Sequence, residues 1–408
     1  AAAGWVISNE SFWDGIRKTV SNLKIRVSYG LAGNDALGER FPYRSIVAMG
    51  EESGFYYNWN SQGKGPKITT YGNPNATWEE AKKLDVGLEL GLFNALNIEA
   101  AYFTEDRTGI FMRRTSLPSS TGLLGVTPYG NIGRVKSHGV DLSAVYNKQF
   151  NKDWSLSLRG TFTFSRNEVV EKDEGDLMYD YMSVVGHPVN AITGVLVADG
   201  LFTSQEQLDA SNQPGKRLGG IRFRDFSGPD GVPDGEIDAW DRTWIYDPVP
   251  DFSYGINLSM AYKGFDFSMF WQGVAGVDVQ NVAKYQTDFW GVNDVGGNKG
   301  ARLLDAWTPQ NPGSTIPAVS TINNGDEGRF STYFIENGSY LKLRNLQIGY
   351  TLPHELTSKI MLDKVRIYIS GQNLLTIKSR DFTGVDPEIP GWSYPIPTSV
   401  TGGIQLTF

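Results

Sequence analysis

The last nine residues of the chain alternate between two kinds of side chain. Positions 400, 402, 404, 406 and 408 hold Val, Gly, Ile, Leu and Phe, and the positions between them hold Thr, Gly, Gln and Thr. Successive side chains of a β-strand point to opposite faces, so this period of two predicts a strand with one apolar face. In an outer-membrane β-barrel the apolar face meets lipid, and a terminal aromatic residue closes the last strand at the membrane interface.

Nine further segments show the same alternation, and each predicts a strand with one polar and one apolar face. They cover residues 23–29, 84–92, 96–102, 140–146, 154–164, 256–262, 265–271, 346–352 and 365–369. With the terminal segment they make ten predicted strands, and a partial strand is expected around residues 5–7. Many approach the ~9–11 residues that a tilted strand needs to cross a bilayer. The pattern therefore predicts an all-β, antiparallel protein of the transmembrane-barrel type.

The connections between the predicted strands alternate strictly between short and long. Short connections fall at residues 93–95, 147–153, 263–264 and 353–364. Long connections run over about residues 31–83, 103–139, 165–252, 272–340 and 378–397. Outer-membrane barrels have short periplasmic turns and long extracellular loops, so this alternation orients every strand and puts the C-terminus on the periplasmic side. A large soluble β-sandwich is the alternative, but several long loops at one end are uncommon in a compact domain.

Composition agrees with a membrane barrel and excludes other classes. Of the 408 residues, 12% are aromatic and 47 are glycine, a mixture that favours strands, turns and interfacial girdles. No run approaches the roughly 18 apolar residues of a spanning helix. A net charge of −8 without a basic stripe argues against nucleic acid, and the absence of cysteine excludes disulfides and thiolate chemistry. Residues 1–5 carry neither an initiator Met nor a signal segment, so a piece of a longer exported chain is expected.

Several phrases of the sequence point to one family. YLKLRNLQIGYTLP at 340–353, VRIYISGQNLLT at 365–376 and GVDPE at 384–388 lie toward the C-terminus. Upstream are LPSSTG at 117–122, NIGRVKSHGVDL at 131–142, DRT at 241–243, PDFSYGINL at 250–258 and YKGFDF at 262–267. From about residue 84 to Phe408 these phrases resemble, in order, the barrel of SusC-like (SusC/RagA-type) TonB-dependent outer-membrane transporters.

The resemblance implies a barrel of about 22 strands, with residues 1–408 as its C-terminal part carrying long extracellular loops. It also implies import of glycans or oligopeptides across the outer membrane of a Gram-negative bacterium. A SusD-like lipoprotein would cap the barrel, the TonB complex would act through an N-terminal part, and the barrel-assembly machinery would read Phe408. The family's N-terminal extension and plug domain have no counterpart in the sequence. Since unpaired strand edges are costly in lipid, the remaining strands are expected from the rest of a longer chain.

The sharpest local motif is an acidic stretch at residues 225–241. Its second half fits a calcium-binding loop, in which oxygen ligands converge and a glycine such as Gly235 allows the turn. Counting the loop from Asp230, however, places Val232 where an oxygen ligand belongs. The alternative to Ca²⁺ is a solvated turn whose carboxylates cap local backbone groups. The candidate ligands are Asp225, Asp230, Asp234, Asp238 and Asp241.

Aromatic residues in the predicted external loops are candidates for substrate contact, because aromatic faces stack on sugar rings and peptide side chains. They are Tyr56, Tyr57, Trp59, Tyr285, Phe289, Trp290, Trp392 and Tyr394. For most of them, packing within the loops or contact with a lipoprotein lid is favoured, since large apolar surface is seldom left exposed without a partner. A second aromatic set falls near predicted strand ends, as an interfacial girdle does. It consists of Tyr29, Tyr102, Tyr146, Trp154 and Tyr262.

No arrangement of residues predicts an enzyme. The histidines, His138, His187 and His354, are not at metal-ligand spacing, and no Ser/His/Asp set or paired carboxylate is recognisable. An importer is therefore favoured over an outer-membrane hydrolase. The remaining alternative is a surface adhesin or autotransporter-like barrel that presents its loops to a partner. A plug encoded upstream would support import, whereas a passenger domain would exclude it.

Overall fold

The computed structural model describes residues 1–35, 37–38, 40–57, 61–123, 126–288, 299–320, 328–391 and 393–408, with side chains except at 50–64, 119, 244–245 and 285–287. The strands within these residues are β1 (Ala2–Val6), β2 (Val20–Asn34), β3 (Ile46–Tyr57), β4 (Ser61–Thr70), β5 (Glu79–Leu92), β6 (Leu96–Arg113), β7 (Tyr129–Asn151), β8 (Trp154–Glu171), β9 (Ile192–Leu196), β10 (Ala198–Leu201), β11 (Ile221–Phe223), β12 (Arg242–Tyr246), β13 (Phe252–Tyr262), β14 (Phe265–Ala275), β15 (Asp278–Gln280), β16 (Ile335–Asn337), β17 (Tyr340–Thr351), β18 (Lys364–Lys378) and β19 (Ser399–Thr407).

Helices are few and short. The α-helices in the described ranges are α1 (Gln205–Asp209), α2 (Val282–Asp288) and α3 (His354–Thr357). Turns of 3₁₀ helix lie at Ile7–Asn9, Ser11–Trp13, Ser119–Thr121, Asp180–Met182, Ala301–Asp305, Thr332–Phe334 and Ser358–Ile360. Among the described residues, no helix has both the length and the apolar character to cross a membrane.

Eleven strands form one antiparallel sheet, ordered β1-β2-β5-β6-β7-β8-β13-β14-β17-β18-β19. Each of them pairs only with the strands before and after it in this sequential order. All ten predicted strands belong to this sheet, and the partial strand expected near residue 5 is β1. The other strands form two-stranded pairs inside the long connections. The prediction of an all-β, antiparallel architecture is confirmed.

Cross-strand register gives the sheet one polar and one apolar face. A row of aligned polar residues crosses seven strands. It contains Asn147, Ser157, Ser259, Ser268, Gln347, Ser370 and Thr401. A row on the opposite face contains Leu156, Met260, Phe267, Ile348 and Ile369. Because side chains alternate with period two, a slip of one residue would exchange these faces, so burial of the apolar face specifies the register. In a membrane barrel the apolar face points outward to lipid, and we call it the outward face.

Aromatic side chains lie near both ends of the outward face. At the end with the short turns, the short-turn end, the Trp154 ring stacks 4.2 Å from Phe150 and lies 6.5 Å from Tyr262. At the opposite, long-loop end, the rings of Phe164 and Phe252 are 5.2 Å apart. β13 runs from one aromatic belt to the other in 11 residues, which is about the length of a bilayer-spanning strand. The belts therefore bound an apolar band of membrane thickness.

Two strands run farther toward the long-loop end than the sequence pattern predicts. β6 and β7 fill most of the connection predicted at residues 103–139 and leave only residues 114–128 as the loop. The predicted length of this loop is therefore wrong. Past the apolar band the positions of β6 on the outward side become polar, as at Thr104, Asp106 and Thr108. The hydrophobic alternation stops there, while the backbone pairing of β6 with β7 continues.

The turn between β13 and β14 shows how the short turns fix pairing. It consists of Lys263 and Gly264, with φ angles of 46° and 86°. Two-residue hairpin turns of this kind need positive φ because their twist then matches that of the paired strands. Tyr262 consequently stands directly opposite Phe265, and the rest of the hairpin follows in register.

One close approach on the polar face requires glycine. Gly139 on β7 pairs with Phe103 on β6. A Cβ atom added to Gly139 would lie 2.4 Å from Cζ of Phe103 and 2.3 Å from the backbone oxygen of Phe164. Both distances are far inside van der Waals contact, so any side chain at this position must displace the ring and the neighbouring strand.

We expect Gly139→Ala in the full-length protein to lower the free energy of unfolding by about 1–3 kcal/mol, the usual cost of overpacking. Gly160→Ala on β8 is the matched control, because nothing lies within 4 Å of a Cβ built at Gly160. Heat-modifiable migration in SDS gels measures the unfolding temperature of each variant. Equal unfolding temperatures for the two variants would contradict the close packing at Gly139.

Candidate binding site in the long loops

Two long connections, residues 172–251 and 276–339, share one hydrophobic core. Its buried members are Leu196, Leu201, Ile221, Phe223, Ile237, Trp307 and Phe334. Backbone hydrogen bonds also join the two connections: the N–H of Leu196 donates to Phe330 O at 3.2 Å, and the N–H of Ala318 donates to Gly219 O at 2.8 Å. Apolar burial and backbone pairing thus fold the described residues of both connections into one body, which we call the loop cap.

A cleft of about 480 Å³ lies between the loop cap and the connection from β18 to β19 at residues 379–398. Its walls combine hydroxyl groups with the basic side chains of Lys284, Arg302 and Arg380, one acidic side chain, Asp381, and the aromatic ring of Tyr333. The hydroxyl groups belong to Thr203, Ser314, Thr315, Thr332 and Thr383. Such a lining can hydrogen-bond a polar ligand from several directions.

Glu336 on β16 joins three segments beside this cleft. Its carboxylate accepts hydrogen bonds from the N–H and hydroxyl of Thr383 at 2.9 and 2.7 Å and from the Asn281 amide at 3.0 Å. Lys284 Nζ lies 3.1 Å away. Burial opposes ionisation, but the Thr383 hydrogen bonds and the Lys284 charge outweigh it and lower the pKa of Glu336. The ionised carboxylate therefore ties residues 379–398 to the loop cap.

Arg302 is held in a second ion pair of the cleft. Its Nη1 atom lies 3.2 Å from Asp288 Oδ2 and 3.2 Å from the Thr383 hydroxyl. The Tyr333 hydroxyl donates to the same Asp288 oxygen at 2.8 Å, and Lys284 Nζ sits 3.9 Å from the centre of the Tyr333 ring. Lys284 and Arg302 thus each have a carboxylate partner. This part of the cleft presents oriented donors and acceptors to a ligand rather than an excess of one charge.

A third set of charges fastens residues 379–398 to the sheet. Lys342 on β17 is 1% exposed, and its Nζ donates to Asp386 at 2.6 Å and to Glu388 at 2.5 Å. Arg344, on the same strand, also donates to Glu388. A buried ammonium group is costly unless it is paired, so the two acids are required partners of Lys342. We call Lys342, Arg344, Asp386 and Glu388 the loop clamp.

The acidic stretch predicted as a calcium site folds around Asp241. This side chain is buried, and its carboxylate accepts hydrogen bonds from the backbone N–H groups of Phe226 and Asp238, both at 3.0 Å. Burial raises the pKa of Asp241. Asp225 Oδ2 accepts from the Gly235 N–H at 2.7 Å, while its Oδ1 atom is buried with no hydrogen-bond partner among the described residues.

The other candidate ligands lie farther out. Asp230 is exposed, and Asp234 and Asp238 accept hydrogen bonds from backbone N–H groups two residues on, at Glu236 and Trp240. Within the described part of the chain, no three His, Asp or Glu side chains are placed to hold a metal ion. The carboxylates do cap local backbone groups. Calcium binding by this stretch stays a prediction, and calorimetric titration of the intact protein with Ca²⁺ is the measurement.

Of the predicted aromatic contact residues, only Tyr394 has a side chain among the described residues. Tyr394 is described and is 95% exposed. Tyr56 and Tyr57 belong to β3 and Tyr285 to α2, but their side chains lie outside the described residues. The described residues do not include the other four aromatic residues of this set, Trp59, Phe289, Trp290 and Trp392. Substrate contact by this set stays a prediction.

Neither the polar residues of the cleft nor the role of the loop clamp is predicted from the sequence. Asn281 and Thr383, which hydrogen-bond each other at 3.1 Å, are 102 positions apart in the chain. A usable signal existed only for the loop clamp. Lys342 and Arg344 are basic residues near the start of a strand that otherwise has no charged residue. The connection from β18 to β19 contains two acidic residues separated by one proline, Asp386 and Glu388.

Lys342→Met removes the central cation of the loop clamp and leaves two carboxylates beside an apolar side chain. Breaking a buried ion pair costs about 3–5 kcal/mol, so amide exchange in residues 379–391 should accelerate roughly 100-fold or more. Hydrogen exchange with mass spectrometry on the full-length protein measures this. Lys378→Met is the control, because Lys378 donates to Gly384 of the same connection but is exposed. Similar acceleration in both variants would contradict the role of the buried cation.

The loop clamp should also resist acid. Burial opposes ionisation of Glu388, but hydrogen bonds from Arg344 and Lys342 lower its pKa to about 2. An unperturbed glutamate has a pKa of ~4.3. The stabilisation from Glu388 is therefore complete above that value and is lost as the pH falls through about 2. We expect pepsin to spare residues 379–391 at pH ~4 and to cut them as the pH approaches ~2. If pepsin cleaves the wild-type protein at pH ~4 as fast as it cleaves the Lys342→Met variant, this expectation is wrong.

Comparisons with known proteins agree with this architecture. Residues 13–374 match the family model of the TonB dependent receptor-like β-barrel. TonB-dependent receptor P3 of Formosa agariphila is 30% identical over 406 residues, which are 95% of this chain and 38% of that protein. TonB-dependent receptor SusC of Bacteroides thetaiotaomicron is 24% identical over 425 residues, which are 100% of this chain and 39% of that protein.

A solved structure of the RagAB peptide transporter has the same fold. It superposes with a TM-score of 0.76 at 25% identity and covers 100% of this chain and 43% of the solved chain. The chain thus spans about two-fifths of the length of the relatives it matches. Because the family model covers most of the chain and the fold agrees over its whole length, the chain belongs to the TonB-dependent receptor β-barrel family, as a SusC-like member.

Proposed function

We propose that this chain forms part of the barrel wall and the extracellular loops of a SusC-like transporter, which imports nutrient oligomers across the outer membrane of a Gram-negative bacterium with energy from TonB. The observation that carries the proposal is the two-faced sheet. One face is an apolar band between two aromatic belts, and the other carries a continuous row of small polar residues. A wall of this kind separates lipid from a polar lumen.

The cleft beside the loop cap supports substrate binding at the extracellular end. Its hydroxyl groups, its paired charges and Tyr333 suit both the hydroxyl groups of a glycan and the amides of an oligopeptide. The related RagAB is a peptide transporter, and either class of oligomer remains a candidate substrate for this chain. The ion pairs of Glu336 and Arg302 would keep these groups in place before the substrate arrives, which reduces the entropic cost of binding.

The proposed partners act at opposite ends of the wall. A SusD-like lipoprotein would cover the long-loop end, where Tyr394 is 95% exposed. The TonB complex would act through parts of the full-length protein that these residues do not include. At the short-turn end Phe408, 91% exposed, would be read by the barrel-assembly machinery. No catalytic step is assigned to the chain.

Uptake measurements test the transport proposal. A strain lacking the full-length gene would be complemented with wild type and supplied with labelled neutral glycans and with labelled peptides of matched size. We expect accumulation of one substrate class, and we expect it to stop when TonB is deleted. Surface binding without accumulation would instead support the adhesin alternative, and accumulation that persists without TonB would contradict the energy source.

A cleft-filling variant tests whether the cleft lies on the substrate route. Thr315→Trp would place a large ring in the cleft of about 480 Å³. We expect uptake to fall at least about tenfold, equivalent to ~1.4 kcal/mol of lost binding, at unchanged protein level in the outer membrane. Gln205→Trp is the matched control, because Gln205 is exposed on α1 of the same loop cap. Equal uptake by the two variants would place the route elsewhere.

A further inference from the structure

The turn between β17 and β18 exposes three large apolar side chains at the short-turn end. It continues from α3 through the 3₁₀ turn Ser358–Ile360 to Met361. Leu356 is 53% exposed, Ile360 60% and Met361 90%. Leu356 and Ile360 are four residues apart and lie on one flank of this helical segment, whereas His354 and Ser358 lie on the other. The segment is therefore amphipathic, with an apolar flank that no described residue covers.

Internal contacts hold this turn in a defined shape. Thr357 is 1% exposed, and its hydroxyl lies 3.3 Å from the carbonyl oxygens of both His354 and Asp363. The N–H of Leu362 donates to Thr357 O at 3.1 Å. Met361 adopts φ of 57°, in the left-handed region that residues other than glycine rarely occupy. The fold thus maintains a strained backbone at the residue whose side chain is the most exposed of the three.

The turn leans over the outward face of the sheet. Ile367 and Ile369 on β18 point outward and are 48% and 53% exposed. Val365 belongs to the same outward row but is only 7% exposed, and α3 packs against β18 at this end. Because Val365 points outward, the residues that bury it lie on the outward side of the sheet. The apolar flank of the turn is therefore beside the lipid-facing band and not in the lumen.

The surroundings of the turn match a membrane interface. Tyr350, near the end of β17, packs against Phe265 with ring centroids 4.4 Å apart, as part of the aromatic belt at this end. Lys359 and Lys364 lie beside the apolar residues and are exposed, as are the acidic residues Glu355 and Asp363. Aromatic rings and lysines concentrate at the level of lipid headgroups, where an apolar body and a charged tip are both accommodated.

We propose that residues 353–363 form an interfacial anchor, whose apolar flank enters the boundary between the headgroups and acyl chains of the inner leaflet. The occupant is phospholipid, because the exposed apolar flank continues the outward apolar band. The proposal rests on the outer-membrane placement given under the proposed function. Leu356, Ile360 and Met361 supply the apolar contact, and Lys359 and Lys364 meet lipid phosphates.

Single-cysteine labelling tests the interfacial anchor. The chain has no cysteine, so Met361→Cys can carry an environment-sensitive fluorophore in the full-length transporter, after replacement of any cysteine outside these residues. The protein would be reconstituted in nanodiscs of phosphatidylethanolamine and phosphatidylglycerol. We expect blue-shifted emission, quenching by phospholipid with a nitroxide near the headgroup, and loss of most accessibility to aqueous iodide.

Two control positions separate the possible outcomes. Ser358→Cys, on the polar flank, should stay accessible to iodide, and Ile367→Cys, inside the outward band, should be quenched by lipid. If Met361→Cys behaves as Ser358→Cys does, or is shielded from both quenchers by protein, the anchor is overturned while the placement of the barrel stands. Loss of lipid quenching at Ile367→Cys would overturn both the anchor and the membrane placement.

Discussion

The register of the eleven-stranded sheet is the constraint on which the other features depend. In the bilayer core every backbone N–H and C=O must be paired within the protein, so the strands are committed to continuous ladders. Side chains alternate with period two, so a shift of one residue between two strands would move an apolar side chain to the polar face. The observed register keeps Leu156, Met260 and Phe267 together on the outward face. The aromatic belts, the polar row and the fit of Phe103 over Gly139 all exist because this register is kept across successive strands.

Outside the membrane, an apolar core and buried ion pairs stabilise the long connections. The loop cap buries a small apolar core, whereas residues 379–398, to which it is joined through Glu336 and Thr383, are attached to the sheet by charges that have left water. Lys342 is almost fully buried and is compensated by Asp386 and Glu388. Such pairs add little net stability over an apolar contact, yet a mispaired arrangement leaves a buried charge and is strongly disfavoured. Their effect is to select one position for the last loop, which keeps one wall of the cleft in a fixed place.

Much of the sheet can be predicted from the sequence, because membrane and lumen impose opposite chemistry on alternate residues. Trp154 to Phe164, for example, alternates clearly and is part of β8. The alternation disappears where a strand extends beyond the membrane. Residues 105–108 of β6 are polar on both faces, so only the hydrogen-bond ladder shows that the strand continues there.

The cleft is harder to predict for a related reason. Its walls come from connections without periodicity, and the partners of each contact are distant in sequence, as Lys284 and Glu336 are. Charged residues in long loops are usually solvated, so their types alone do not mark Glu336 as buried or Lys284 as its partner. The loop clamp shows the limited signal that exists, since Lys342 and Arg344 are charged residues within a strand. Only the fold brings Asp386 and Glu388, from the connection between β18 and β19, into contact with them.

The shared core of the loop cap has a consequence for how the sheet assembles. Short turns join β5 to β6, β7 to β8, β13 to β14 and β17 to β18, so each of these hairpins can form with little loss of chain entropy. The two longest connections are different, because residues 172–251 separate β8 from β13 and residues 276–339 separate β14 from β17. Closing long segments costs entropy before strand pairing compensates for it. Phe223 comes from the first segment and Trp307 from the second, and both belong to the core of the loop cap. Formation of this core therefore reduces the entropic cost of closing both segments. The pairing of β8 with β13 and the pairing of β14 with β17 are thus coupled to each other during folding.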